Sequence, residues 1–414
     1  MRRVVVVGSG AREHALAWGL TKSADVVVTP GSDGIAAHGI NCVATPATHL
    51  DAELFVIGPE QPLVEGLADL LRAQGKTVVG PGASGALLEG SKAFMKEFLA
   101  AANVPTAAYG SFSDEQRALS FLATMEPPYV IKTDGLAAGK GVLVTDDFEL
   151  ACDDVREKLS GIAFGDAGTT IVIEEGLSGE ECSLLFLCDG SRALALVPAK
   201  DYKRVGDGNA GANTGGMGAF APLASMSDEQ IDDVRARIVT PTLEELRRRD
   251  IDFRGVLYAG LMLTANGPKL LEYNVRFGDP EAEVLVPLFE DDLFDHLRAV
   301  GDGTLSNAPF TTSGAAVTVV LASHGYPENP RRGDRIGGLG ADGQLARPVE
   351  GVLVFHAGTK SDQHGVFTTA GGRVLAVTGI AATIGEARRR AYEAASLVTF
   401  EGKVMRTDIA REAV

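Results

Sequence analysis

Apolar and polar positions follow two rhythms along this chain, and the switches between them mark its elements. A short apolar run at residues 4–7 stops at Gly8-Ser9-Gly10 and gives way to a helical spacing over 11–20. Further apolar runs of strand length follow at 26–29, 54–57 and 77–79, with a helical pattern at 63–74 between two of them. Strands separated by crossover helices predict a parallel α/β unit. Three of its strands end at Pro30-Gly31, Gly58-Pro59 and Gly80-Pro81, the side on which such sheets bind ligands.

The rhythm changes after a helix predicted at 91–102, capped by Ser91. Between 129 and 144 two strands flank a glycine-rich loop, and strands follow at 171–174 and 182–188. A long helix is predicted at 228–249 behind Ser227, then a hairpin of strands 255–264 and 269–274 turning at Asn266-Gly267. Beyond Pro309–Ser313 (309–313) come strands at 315–322, 351–356 and 373–378 and a closing helix at 384–398. No repeat or low-complexity block interrupts the pattern.

Composition narrows the class. Of 414 residues, 50 are glycine, about 12% against a usual ~7%, with no collagen period. Those glycines therefore serve turns and close backbone approaches. A net charge of −17 disfavours nucleic acid and anionic membrane as partners, while a small phosphorylated ligand can still be held by local amides and cations. No window approaches a membrane-spanning length, and the start of the chain has no signal-peptide pattern. Cys42, Cys152, Cys182 and Cys188 show no metal or disulfide spacing, so reduced packing thiols in a cytoplasmic protein are expected.

Four segments carry chemistry. Gly8-Ser9-Gly10 before a helix is two-thirds of a dinucleotide fingerprint, but Glu13 stands where the third glycine belongs, which argues against a nicotinamide oxidoreductase. What survives is a tight turn and a helix N-terminus for an anion, with Arg12 and His14 nearby. Asp134–Gly141 (134–141) fails the Walker pattern at both ends, and its flanks read as strands. A glycine-rich hairpin with Lys132 at its base and Lys140 near its tip suits folding over a triphosphate. Glu272 and Asn274 share one strand face as i and i+2, hard oxygen donors for a magnesium ion that carries ATP phosphates. Arg276, Asp279 and Glu281 follow directly. The loop 213–218 after the basic stretch 200–204 reads either as a wrap for a small carboxylate or phosphate or as a structural turn.

Taken in order, these segments resemble the glycinamide ribonucleotide synthetase (phosphoribosylamine–glycine ligase) family of the ATP-grasp superfamily. The resemblance runs from residues 8–14 through 30–31, 58–60, 88–94, 131–141, 203–208 and 213–218 to 274–281, the most family-specific stretch. It extends through 356–359, 371–374 and 406–409. It implies α/β and α+β architecture: an N-terminal parallel α/β substrate domain (1–89), an ATP-grasp domain (90–312, with an inserted lid at about 110–178) and a small C-terminal α+β domain (313–414).

The resemblance also implies roles. Lys92 and Lys132 contact ATP phosphates, and a loop including Gly135, Gly139, Lys140 and Gly141 closes over them. Glu174, Glu175 and Leu177 line the adenine site, with Glu180 or Glu181 near the ribose. Glu272 and Asn274 hold Mg²⁺ or Mn²⁺, and Lys132 and Arg276 stabilise the transferring phosphoryl group. Gly10, Arg12, Glu13, Pro30 and Gly31, together with Asn213, Thr214, Gly215, Gly216, Arg276, Asp279 and Glu281, place 5-phosphoribosylamine and glycine in a monomer acting in purine biosynthesis. Another ATP-grasp carboxylate–amine ligase is the alternative. Seven positions depart from the family pattern: Ala11 for glycine, Ser32 for asparagine, Ala199-Lys200 for Ser-Gln, Tyr202 for histidine, Glu283 for glutamine and Leu288 for arginine.

Overall fold

The computed structural model describes residues 2–135, 141–161, 170–306 and 308–414. The N-terminal part is a five-stranded parallel sheet in the order Asn41–Cys42, Asp25–Pro30, Arg3–Gly8, Leu54–Ile57, Val78–Val79. Its central strand, Arg3–Gly8, is valine-rich and buried on both faces, as a strand covered by helices on both sides must be. The helical pattern at 63–74 is two helices, Glu60–Val64 and Leu67–Ala73, because Gly66 adopts φ +83 between them.

Next comes a helix, Lys92–Ala101, whose start is set by the Ser91 hydroxyl accepting the Phe94 N–H at 3.1 Å. A four-stranded antiparallel sheet follows, in the order Tyr109–Phe112, Ile171–Glu175, Tyr129–Thr133, Val142–Thr145. Helices Glu115–Leu122 and Phe148–Leu159 cover it around a small separate core that includes Ile131, Val155 and Ile173. A second antiparallel sheet has the order Ala193–Ala195, Glu180–Asp189, Arg254–Thr264, Gly267–Asn274. The turn at its last hairpin is closed by Gly267 at φ +97. The long helix at 228–249 widens to a π turn at Arg235–Val239 just before Pro241, which has no N–H to continue the ladder.

The C-terminal sheet is built from two distant parts of the chain. Lys200–Asp201 and Gly218–Ala221 pair onto Ala315–Ala322, which continues to Arg373–Ala381 and Val352–His356. Helix Ile384–Leu397 packs on this sheet through Ala387, Ala391, Ala394 and Ala395. Small side chains at that spacing let helix and sheet approach closely. The pairing of Gly218–Ala221 onto Ala315–Ala322 brings the 213–218 loop beside the C-terminal Arg373.

Candidate active site

One face of the second antiparallel sheet gathers the acidic groups. Ser183 pairs with Gly260 and Gly260 with Glu272, while Tyr258 pairs with Asn274. Cross-strand partners share a face, so Glu181, Ser183, Tyr258, Glu272 and Asn274 point the same way. Gly260 leaves that face open beside Glu272: a Cβ there would lie 3.4 Å from the Glu272 Cγ. A β-bulge falls where Gly260 and Leu261 oppose Glu272 and Leu270, making Leu271 the extra residue. The Leu271 carbonyl accepts from Lys132 Nζ at 3.3 Å, so the bulge links this sheet to the base of the glycine hairpin.

The neighbouring sheet and the helix Lys92–Ala101 supply cations. Lys132 Nζ lies 2.9 Å from Glu174 Oε1, and Lys96 Nζ lies 3.1 Å from Glu174 Oε2. Glu174 is 2% exposed, so its carboxylate is wedged between two ammonium groups. Burial lowers the Lys96 pKa to about 8, with Glu174 opposing the shift. Lys96 also donates to Thr106 at 2.8 Å. The Glu174 side chain, expected to line the adenine site, is thus turned to Lys96 and Lys132. Glu175 accepts from the Ala108 N–H at 3.2 Å and faces Lys269 at 3.5 Å. Leu177 is half-buried in the connection between Ile171–Glu175 and Glu180–Asp189.

Strand alternation puts Glu180 and Glu181 on opposite faces. Glu181 faces the site and pairs with Lys203 at 3.1 Å. Glu180 faces the opposite side, 2.8 Å from Lys200. The same alternation separates Asp201 and Lys203, 3.1 Å apart on the site side, from Lys200 and Tyr202. Lys200 reaches Glu412 at 3.1 Å, and the Tyr202 hydroxyl donates to Glu412 at 2.7 Å and accepts the Ala410 N–H at 2.8 Å. Burial raises the Asp201 pKa to about 6 despite Lys203, with Glu281 and Glu181 adding to the shift. Lys203 is held well above its ordinary value, Asp201 and Glu181 outweighing its burial.

Glu272 keeps its carboxyl below the usual range. Burial works against ionisation there, but Lys203, Lys132, Lys92 and Arg276 outweigh it. Asn274 Oδ1 accepts from Arg276 at 3.3 Å. An ionised carboxylate and an amide oxygen on one strand face, surrounded by cations suited to phosphate, match the hard-donor demands of magnesium. Arg276 also pairs with Glu89 at 2.7 Å and Glu60 at 3.3 Å. Lys92 donates to the Gly135 carbonyl at 3.3 Å. Asp134 takes the Ser91 hydroxyl and the Ala93 N–H, each at 3.1 Å, tying the hairpin to the start of helix Lys92–Ala101. Gly141 accepts the Thr133 N–H at 2.8 Å to close the strand pair. Gly139 and Lys140 lie outside the described residues.

The N-terminal loop differs from the expectation of a free anion site. Glu13 Oε2 accepts the N–H groups of Gly10 at 2.7 Å and Ser9 at 3.2 Å, so the turn is capped by the chain's own carboxylate. Glu13 Oε1 pairs with Arg12 at 2.6 Å, which leaves Glu13 buried and structural rather than open to substrate. Arg12 donates to the Phe277 carbonyl at 3.4 Å, joining this domain to the 276–281 loop. Pro30 is exposed and Gly31 half-buried at the end of the adjacent strand. Glu281 is engaged by Ser183 at 3.0 Å and Tyr258 at 2.6 Å. Asp279 pairs with Arg373 at 2.8 Å, and Arg373 also donates to the Gly215 carbonyl at 2.6 Å. Thr214 donates to the Lys203 carbonyl at 2.9 Å and accepts the Gly216 N–H at 3.0 Å, and Asn213 ends the strand before it.

Sequence reading passed over Lys96, Lys203, Asp201, Glu89, Glu60, Tyr258 and Arg373. Lys96 had a signal, four residues after Lys92 on the same helix face. Asp201 and Lys203 lay in the basic stretch 200–204, and Glu60, Glu89 and Arg373 in stretches that carry the resemblance, but their roles depend on segments far apart in the chain; Tyr258 had no signal.

Two antiparallel sheets joined through Lys132, with buried lysines on one side and a carboxylate–amide pair on the other, have the arrangement of an ATP-grasp enzyme. The models of the phosphoribosylglycinamide synthetase N domain, ATP-grasp (A) domain and C domain match residues 2–89, 90–282 and 316–412 in turn. The chain belongs to the phosphoribosylglycinamide synthetase family. It is 43% identical to the phosphoribosylamine–glycine ligase of Brucella melitensis, over 100% of this chain and 98% of that one. It is 45% identical to the Caulobacter vibrioides ligase, over 98% and 97% of the two chains. The crystal structure of the Thermotoga maritima phosphoribosylamine–glycine ligase superposes with a TM-score of 0.84 at 36% identity, covering 99% of this chain and 100% of that one. The fold alone is shared with the biotin carboxylase domain of Hydrogenobacter thermophilus 2-oxoglutarate carboxylase, solved with MgADP, at TM-score 0.74 and 15% identity.

Proposed function

We propose that this chain joins glycine to 5-phosphoribosylamine, using ATP, to give glycinamide ribonucleotide, ADP and phosphate in purine biosynthesis. The observation that carries the proposal is the facing of Glu272 and Asn274 by Lys132, Lys203 and Arg276 across two sheets. A carboxylate is a poor acyl donor because oxide is a poor leaving group. Transfer of the γ-phosphoryl group to a glycine oxygen gives glycyl phosphate and ADP. The amine of phosphoribosylamine then attacks the carbonyl, the acyl C–O bond breaks and phosphate leaves.

Lys132, fixed by Glu174 and the Leu271 carbonyl, supplies positive charge where the phosphoryl oxygens gather, with Arg276 and Lys92 beside it. Glu272 and Asn274 would hold the divalent ion, Mg²⁺ or Mn²⁺, which neutralises phosphate charge when bound. Glu181 stands on the same face and suits the ribose hydroxyls. Asn213, Thr214, Gly215 and Gly216, clasped by Arg373 to Asp279, frame the side where acid and amine meet. No enzyme nucleophile is required.

Most of the departures sit away from the proposed nucleotide and metal residues. Lys200 and Tyr202 face the C-terminal tail, Ala199 and Leu288 are in the core, Ala11 packs under Phe355, and Ser32 caps the helix Asp33–Ala37. None of these six alters the face that carries Glu181, Glu272 and Asn274, and the seventh, Glu283, lies beside Asp279 and Arg373. The choice of glycine and phosphoribosylamine is supported by the full-length likeness to phosphoribosylamine–glycine ligases. The test is product formation followed by mass spectrometry, with ATP, Mg²⁺, glycine and freshly generated phosphoribosylamine omitted in turn. Glycinamide ribonucleotide in the complete mixture alone is the expected result. ADP release without that product overturns the substrate assignment.

A further inference from the structure

Helix Ala282–Leu288 begins directly after Glu281 and carries Glu283 in its first turn. Glu283 is fully buried, at 0% exposure. Among the described residues, no N–H or O–H group reaches either of its carboxylate oxygens with hydrogen-bond geometry. A buried ionised carboxylate whose two acceptors lack donors is among the least favourable groups a protein interior can hold.

The charged groups facing Glu283 are Asp279, from the loop before its own helix, and Arg373, from the C-terminal strand. Arg373 is already engaged: its guanidinium donates to Asp279 Oδ2 at 2.8 Å, the Asp279 carbonyl at 3.0 Å and the Gly215 carbonyl at 2.6 Å. Around the same group stand Tyr326, whose hydroxyl accepts the Gly215 N–H at 3.2 Å, and Arg12 from the N-terminal helix. Two carboxyl groups that face one another with no donor between them are compatible when they share a proton.

We infer that Glu283 is a neutral carboxylic acid whose O–H donates to Asp279, positioning Asp279 to hold the 213–218 loop through Arg373. Glu283 is then a positioning residue. It touches no substrate, but it fixes the carboxylate that locks two substrate-side loops to the C-terminal sheet. Burial, reinforced by the Asp279 charge, pushes the Glu283 carboxyl well above its ordinary range, outweighing Arg373 and the residue's own N–H. Deprotonation at high pH would set a second negative charge against Asp279 and loosen the clasp. The identity of the affected substrate rests on the ligase reading; the protonation state of Glu283 does not.

The test has two arms. Protein labelled with ¹³C at glutamate Cδ is followed by carbon NMR from pH 6 to 9, in wild type and Glu283→Gln. One resonance held at the protonated shift through pH 8, and missing from Glu283→Gln, is expected. Titration of every glutamate below pH 7 overturns the inference. In the kinetic arm, Glu283→Leu removes the donor and raises the KM for phosphoribosylamine about tenfold, the KM for ATP staying within about twofold. Glu283→Gln, whose amide N–H donates to the same Asp279, restores the KM. An unchanged KM in Glu283→Leu rules out the positioning role. A protein with the protonated resonance but no glycinamide ribonucleotide contradicts the ligase reading and leaves the carboxyl assignment standing.

Discussion

His14 Nδ1 accepts the backbone N–H of His356 at 2.9 Å, joining residues 342 positions apart. That one contact sets the protons of the cluster. With Nδ1 accepting, the other His14 nitrogen carries the proton and donates to His38 Nδ1 at 2.9 Å. His356 in turn donates from Nε2 to the Gly343 carbonyl and accepts from Thr359 at Nδ1, each at 2.8 Å. The N-terminal and C-terminal parts are therefore stitched by neutral imidazoles.

Acid should loosen this seam. Burial holds His14 well below its ordinary 6.5, with His356 and His38 adding to it, and burial lowers His356 to about 4. The unfolded chain thus binds protons first as pH falls, so stability is lost from about pH 6.5 downward. A Tm drop on the order of 5 °C between pH 7.5 and 5.5 is expected, and a shallower one in His14→Asn, which keeps an acceptor but cannot protonate. Equal acid slopes in the two proteins would rule the cluster out as the cause.

Glu272→Ala should abolish ligation without unfolding the chain. The substitution removes the ionised member of the proposed metal pair from a face ringed by Lys203, Lys132, Lys92 and Arg276. A fall in kcat on the order of 10³, with ADP and product lost together, is the expected outcome. Wild-type turnover by a folded Glu272→Ala protein would refute the metal assignment.

Glu174→Gln should damage both stability and nucleotide binding. It strips the counter-charge from Lys96 and Lys132, two buried ammonium groups, at a cost of about 3–5 kcal/mol. Thermal unfolding reads the first effect. A KM for ATP raised about tenfold reads the second, because Lys132 loses the partner that aims it. A variant with wild-type Tm and KM would show that Lys132 needs no such anchor.

Gly58→Ala should destabilise the N-terminal domain by about 2 kcal/mol. A Cβ at Gly58 would run into the Glu13 carboxylate, which cannot swing away because Gly10, Ser9 and Arg12 hold it. Denaturant unfolding of Gly58→Ala, alone and combined with Glu13→Ala, checks the cause. Failure of the second substitution to relieve the strain would place the clash elsewhere.

How much of this was legible in advance follows the range of the forces involved. Ser91 and Ser227 announced helix starts, Asn266-Gly267 announced a hairpin, and the valine run at 4–7 announced a buried strand, because capping, turn preference and alternation act within a few residues. The spacing of Glu272 and Asn274 placed them on one face for the same reason. The ordered motifs pointed to the family, and the family models match along the chain.

Only the tertiary structure could decide which face of a strand meets which neighbour. Glu181 rather than Glu180 faces Lys203, and Tyr202 turns to the C-terminal tail while Asp201 turns inward, because the register of a strand is fixed by partners far along the chain. Glu13 stood in a motif suited to an anion and became that anion, and Glu283 stood in an ordinary helical turn and lost every donor. By itself, the sequence of this protein determined its local elements and the order of its chemistry-bearing segments. Which carboxylates are ionised, paired or left to hold a proton was decided by burial and by neighbours up to hundreds of residues away, and those come together only on folding.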